Sequence, residues 1–140
     1  MITIRRETDY ACRVILHLAQ LTDGERVTAQ DIARHRIIPR AMVRRVITRL
    51  AAAHLITTVR GQGGGLSLAR PAREISLLNV VEAMEGTLAL NACVVDSHPC
   101  PLNKVCSVHE EWCRARELLA AELGAATFDK LAARGQALIR

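Results

Sequence analysis

Apolar residues recur at helical spacing from the first stretch of the chain. Ala11, Val14, Ile15 and Leu18 predict a helix over 8–21, with Thr8 as its N-cap and Asp9 favourably placed in the first turn. Thr22-Asp23-Gly24-Glu25 reads as a turn. Thr28-Ala29-Gln30-Asp31 then resembles a capping box, with Asp in place of the usual Glu, and opens a short helix through about His35. Pro39 suits the first position of a further helix, 39–53. In it Val43, Val46, Ile47 and Leu50 fall on one face at i, i+3, i+4 and i+7, while Arg40, Arg44, Arg45, Thr48 and Arg49 take the others.

The period then changes. Leu55 to Arg60 is β-branched and strand-like, Gly61-Gln62-Gly63-Gly64-Gly65 comes next, and Leu66-Ser67-Leu68 completes a hairpin. Pro71 begins a connector, and Leu77 to Met84 is a short helix ended by Glu85-Gly86. From Thr87 to about Cys100 there is no clean period; this loop holds Cys93, His98, Pro99 and Cys100. Pro101 is placed to start a long helix to about Gly124, with Val105, Val108, Trp112, Ala115 and Leu119 as an apolar stripe wide enough for a partner helix. A small helix over 127–134 and a loose tail end the chain, and no internal repeat or low-complexity linker interrupts it.

Short helix, turn, second helix and hairpin is the order of a winged helix-turn-helix. The expected fold is therefore mainly α. It comprises a winged helix-turn-helix DNA-binding region with a two-stranded wing (1–76), a short helix and cysteine-bearing sensor loop (77–100), and a dimerisation helix with its tail (101–140).

Composition narrows this picture. Half the residues are hydrophobic but only 2% are aromatic, so the core must be aliphatic, which favours helices over a β-sandwich. No apolar run approaches the roughly 20 residues that span a bilayer. The charged, mixed start is unlike a signal peptide, so the expected address is the cytoplasm. Charge is unevenly spread: residues 1–73 carry 13 Lys/Arg against 5 Asp/Glu, and the remainder 6 against 9, a basic half joined to an acidic one.

In a winged helix-turn-helix the second helix of the pair enters the major groove. Arginine can bond guanine bidentately and can also hold phosphates. Thr28, Arg40, Ala41, Arg44, Arg45 and Arg49 on the helix pair, with Arg60, Gly61 and Gly63 on the wing, form the expected contact set for double-stranded DNA. The plainer reading is a surface helix with solvated arginines. A nucleotide-binding role for the glycine run finds no support, because no Lys-Ser/Thr and no helix come after it.

The five cysteines are Cys12, Cys93, Cys100, Cys106 and Cys113. In a reducing compartment such a cluster points to metal or redox chemistry before disulfides. The spacing Cys93-x6-Cys100-x5-Cys106 is too wide for the paired Cys-x2-Cys of zinc ribbons. Thiolates in an irregular loop suit an iron–sulfur cluster, [2Fe–2S] or [4Fe–4S]. The fourth ligand is His109, three residues beyond Cys106, or Asp9, donated by a second subunit. Cys12 is a neighbour of that site or a small buried hydrophobe, and Cys113 is expected to pack. His17, His35 and His54 show no ligand spacing and read as structural or solvated. Two other readings remain: a thiol- or zinc-dependent DNA-binding regulator without a cluster, and a cysteine redox enzyme. The second lacks both a Cys-His-carboxylate order and a Cys-x-x-Cys.

Together these residues resemble the Rrf-type (Rrf-two) family of winged-helix regulators, which includes IscR-like and NsrR-like members. The resemblance covers nearly the whole chain. Thr8-Asp9-Tyr10-Ala11-Cys12-Arg13 resembles the family's opening helix, and Val59-Arg60-Gly61-Gln62-Gly63-Gly64-Gly65-Leu66 its glycine-rich wing. Leu68-Ala69-Arg70-Pro71 and residues 75–86 match the family's segments just beyond the wing. The resemblance implies a non-enzymatic transcription regulator, a repressor that senses nitric oxide, redox state or iron–sulfur status. It also implies a homodimer on a palindromic operator, crossed by long C-terminal helices, with a cluster on Cys93, Cys100 and Cys106. His109 matches the Cys-x2-His of IscR-like members, and Asp9 the N-terminal carboxylate of NsrR-like members. Two departures stand out: the first cysteine gap is x6 where IscR-like members have x5, and Arg44 stands where many relatives carry an acid on the reading helix.

Overall fold

A computed structural model describes residues 3–95, 100–102 and 104–137. The chain runs through α1 (Arg6–Ala19), α2 (Ala29–His35), α3 (Arg40–Ala52), β1 (Ile56–Val59), β2 (Gly65–Leu68), α4 (Leu77–Glu85), α5 (Ser107–Ala125) and α6 (Phe128–Ala137). Short 3-10 turns occupy Ala72–Glu74 and Ala92–Val94. The two strands pair antiparallel, with Ile56 opposite Leu68 and Val59 opposite Gly65. This is the mainly helical winged fold that the residue pattern predicts.

The core is aliphatic and centred on α1, whose Ala11, Val14, Ile15 and Leu18 are buried. Around them close Ile32 of α2, Val43, Val46 and Leu50 of α3, Leu66 of the wing, and Val80 and Met84 of α4. The single Phe, Phe128, is fully buried in the same core. Its backbone N–H donates to the Ile75 carbonyl (2.9 Å), and the Leu77 N–H to the Ala126 carbonyl (3.0 Å), so the C-terminal segment is stitched to the start of α4. Ser76 begins α4 with a full capping box: its hydroxyl accepts from the Asn79 N–H while the Asn79 side chain reaches back.

The helix ends differ from expectation in three places. Helix α1 begins at Arg6, with Arg5 at the N-cap, and Thr8 is buried inside its first turn. The Thr8 hydroxyl has a tertiary partner, Glu85, that local sequence does not reveal. Pro39 occupies the N-cap of α3, one position before the first helical residue. Helix α5 begins at Ser107, well after Pro101, and Val105 lies outside it, 80% exposed. Starting at Ser107 puts Glu110 in the first turn, where the helix dipole favours an acid; starting at Pro101 would put Lys104 there.

Candidate functional site

The helix pair is set by its caps. The Thr28 hydroxyl accepts from the Asp31 N–H (3.1 Å) and donates to the Asp31 carboxylate (2.7 Å), which also holds Arg34 at 2.8 Å. After α2 the chain turns through Ile37, a β-branched residue at φ +54°, and enters α3. Arg40, Ala41 and Arg44 are exposed on the first turns of that helix. Arg40, Arg44 and Thr48 share a groove of about 310 Å³ with Gln30 of α2 and Leu66 of the wing.

The other two arginines of α3 turn elsewhere. Arg45 lies 3.2 Å and Arg49 3.9 Å from the carboxylate of Glu7, on the first turn of α1. The four arginines, a single set in sequence, thus divide between an open groove and an acidic neighbour. Sequence reasoning gave Glu7 no role; its partners lie 38 and 42 positions away, and no local spacing announces them.

The wing tip is built for close turns. Gly61 (φ +90°) and Gly63 (φ +74°) occupy the left-handed region. A Cβ on Gly64 would stand 2.3 Å from the Val59 carbonyl oxygen. Arg60 is exposed at the base of this tip. The wing is tied to the segment before α2 by paired backbone bonds between Val27 and Leu66, at 2.8 and 3.3 Å.

Among the expected cluster ligands, Cys93, Cys100 and Cys106 are free and half-buried. Cys93 donates to the Asn91 side-chain oxygen (3.2 Å), and Cys106 is the N-cap of α5. His98 and Pro99 lie outside the described residues. No three of the described His, Cys, Asp and Glu side chains stand close enough together to hold a metal ion. His109 and Cys113, one turn apart, meet instead: the imidazole Nε2 is 3.5 Å from the thiol. The other ring nitrogen, Nδ1, is buried with no hydrogen-bond partner among the described residues. Asp9 is exposed and pairs with Arg13 of its own helix at 2.7 Å. Cys12 packs against the core, and burial, with the negative charge of Asp9, pushes its thiol up to about 11. Cys12 is therefore a protonated, unreactive thiol at neutral pH.

Two further contacts frame the site. Thr8 and the Arg5 backbone N–H both donate to one oxygen of Glu85, at the end of α4, and the Arg5 guanidinium lies 3.0 Å from the other. On the opposite flank the His17 and His35 rings stand 5.8 Å apart, and the Arg36 guanidinium donates to His17 Nδ1 (3.1 Å). Burial, then the charges of Arg36 and His35, lower the His17 pKa and keep that ring a neutral acceptor. His17 is thus structural, while His54 is exposed at φ +55°. No described helix is long and apolar enough to cross a membrane.

Comparisons with known proteins agree with this geometry. Residues 4–134 match the Rrf2 family, described as "Iron-dependent Transcriptional regulator". "Protein aau3" of Rhizobium meliloti (strain 1021) is 31% identical over 130 residues, spanning 91% of this chain and 83% of that protein. Among solved structures, CymR (YrzC), the global cysteine regulator of B. subtilis, superposes with a TM-score of 0.77 at 21% identity, over 96% of this chain and 98% of its own. IscR of T. potens does so with 0.75 at 22%, over 97% and 90%. The oxidized form of Staphylococcus aureus CymR gives 0.70 at 26%, over 94% and 96%. With a winged helix-turn-helix in place and a family match over nearly its whole length, the chain belongs to the Rrf2 family of DNA-binding transcriptional regulators.

Proposed function

We propose that this regulator is a homodimeric repressor whose operator binding depends on an iron–sulfur cluster, and that it responds to nitric oxide, redox state or cluster supply. The observation that carries this reading is the chemistry of the donors in the link from α4 to α5 and the first turn of α5, which would have to draw together to hold the cluster. Three free, half-buried thiols are spaced along the link from α4 to α5, and near the start of α5 the buried Nδ1 of His109 has no partner among the described residues. A buried polar atom left unpaired is costly, so it marks a place where a ligand belongs. Soft thiolates with one nitrogen or carboxylate ligand are the donors such clusters accept. Cys93, Cys100 and Cys106 would supply the thiolates. His109 of the same chain, or Asp9 of a second subunit, would complete the set. When bound, the cluster supplies iron–sulfur bonds that oxidants and nitric oxide attack.

The chain's own part is mechanical. Drawing Cys93, Cys100 and Cys106 together fixes the loop between α4 and α5. Helix α4 is clamped to α1 through Glu85 and Thr8, and α1 packs on α3. A change at the loop therefore reaches the reading helix through two packed elements. Arg40, Arg44 and Ala41 would face base edges, with Arg45, Arg49 and Thr28 at their flanks. Arg60, Gly61 and Gly63 would bring the wing onto the adjacent backbone of a palindromic duplex.

Anaerobic purification with iron and acid-labile sulfide analysis tests the reading. A coloured protein whose spectrum is lost in Cys93→Ala, Cys100→Ala and Cys106→Ala is expected. Equal operator affinity with and without the cluster would overturn it, because a ligand with no differential affinity cannot shift a population. Asp9→Ala and His109→Ala separate the two fourth ligands by which one loses the spectrum. The similarity to the oxidized form of Staphylococcus aureus CymR, with the Cys113–His109 contact, supports a second reading: thiol-based control without a cluster. Colourless protein whose DNA affinity changes on reversible thiol oxidation would favour it.

A further inference from the structure

The carboxylate of Glu7 is the acid placed against the reading helix. Its side chain is only 16% exposed, yet it meets two cations that keep contact with solvent, Arg45 at 68% exposure and Arg49 at 41%. Glu85, at the end of α4, adds a second negative charge near Arg49. Ion pairs of such exposed side chains contribute little to stability, so fold maintenance is a weak reason for this arrangement. Its effect on DNA is larger. Half the chain carries a strong positive excess, and free arginines on α3 would bind phosphates in any register, sequence aside. The carboxylate offsets the positive charge at both guanidiniums, so each attracts a passing phosphate less strongly.

We propose that Glu7 is a specificity-determining residue: an internal competitor for phosphate whose ion pairs with Arg45 and Arg49 must break for non-specific binding but not for binding to the matched duplex. In a mismatched complex nothing but backbone charge holds the protein, and Arg45 and Arg49 must leave Glu7 to contribute. In the matched register base contacts from the groove side, where Arg40 and Arg44 lie, hold α3 in place, and the two ion pairs need not break. Glu7 therefore penalises non-specific binding more than specific binding. The inference rests on α3 meeting DNA and not on the cluster.

Glu7→Gln in the full-length protein tests it, using mixed-sequence duplex and a duplex selected from a random pool by the parent protein. The variant is expected to bind the mixed-sequence duplex several-fold tighter. Its plot of log K against log salt should be steeper by roughly one to two, as for one or two added phosphate contacts, and affinity for the selected duplex should rise less. In an Arg45→Ala, Arg49→Ala background the same change should do nothing. A gain that persists in that background would reduce Glu7 to a general surface charge and overturn the proposal. So would an unchanged salt slope in Glu7→Gln. If Arg45→Ala and Arg49→Ala leave DNA binding as in the parent, the assignment of α3's far face to DNA fails first, and the proposal with it. Thermal melting checks folding; should Glu7→Gln melt early, Glu7→Asp keeps the charge but shortens the reach, and an intermediate gain is then the required result.

Discussion

Ile37 is 81% exposed and sits at φ +54° in the turn between α2 and α3. A β-branched residue in the left-handed region clashes with its own carbonyl, at a cost of roughly 1–2 kcal/mol, and this side chain recovers almost nothing by burial. The turn demands that backbone because the Ile38 N–H must return to the Ala33 carbonyl (2.9 Å) before Pro39 caps the next helix. Ile37→Gly should relieve the clash, while the greater freedom of glycine in the unfolded chain returns about 0.5–1 kcal/mol. The expected net gain is roughly 0.5–1 kcal/mol, or a melting temperature raised by about 2–4 °C, read by circular dichroism. A lower melting temperature would mean that the exposed side chain makes contacts elsewhere. At Gly64 the same logic reverses, since a Cβ there meets the Val59 carbonyl at 2.3 Å. Neither constraint is legible in sequence at Ile37: the residue reads as one more apolar position, and only the observed backbone marks it as strained.

Between elements, a hydrogen bond from a buried hydroxyl helps tie α1 to α4. The buried Thr8 hydroxyl of α1 donates to the Glu85 carboxylate at the end of α4. Burial alone would raise the Glu85 pKa; the bonds from Thr8 and the Arg5 N–H, with the charges of Arg5 and Arg49, more than offset it and hold the group below its ordinary 4.5. A depressed folded pKa means the contribution is full above the unfolded value and fades as pH falls through the folded one. Thr8→Val keeps the shape and deletes the donor. It should lose about 1.5–3 kcal/mol at neutral pH, the range for a hydrogen bond to a charged group. The loss should shrink toward zero as acid protonates Glu85, and urea titrations at neutral and strongly acidic pH read both arms. A pH-independent loss would assign the effect to packing. Helix interiors were legible because Val14, Ile15 and Leu18, or Val43, Val46 and Leu50, carry the 3.6-residue period themselves. The Thr28 cap of α2 and the Gly86 end of α4 were legible too. The starts of α1 and α5 were not, because Thr8 looks like a cap until its partner 77 residues away is known, and Pro101 looks like a start although Lys104 makes it a poor one. The wing was legible from its glycines, and the arginines of α3 from their type. Their division between a groove and Glu7 depends on how α1 crosses α3.

For the whole molecule the telling element is α5. Its 19 residues extend about 28 Å at 1.5 Å per residue, and none of its side chains is buried. Leu119 and Leu123 turn toward Val81 and Leu90. Val108, Trp112 and Leu118 remain exposed, Leu118 at 67%. A helix of this length draws most of its stability from a packed face, and apolar side chains gathered on one element mark an interaction surface. A second copy of α5 is the occupant that the reading of this family member as a homodimer requires, and two-fold pairing would set the two α3 helices about 34 Å, or a multiple of it, apart on the duplex. Val108→Glu places a charge on the exposed stripe that Val108 shares with Trp112, without touching α1 to α4. It should shift the protein from dimer to monomer in sedimentation velocity at micromolar concentration, while Ala11, Val14 and the rest of the core keep each monomer folded. The lone Trp112 reports the same event: its emission should move to longer wavelength as the partner leaves and water reaches the indole. A monomer contacts one half-site, so DNA affinity should fall and the salt slope drop to about half that of the parent. A parent protein that sediments as a monomer at that concentration, with and without added iron and sulfide, would sink the dimer and leave α5 facing a partner of another kind.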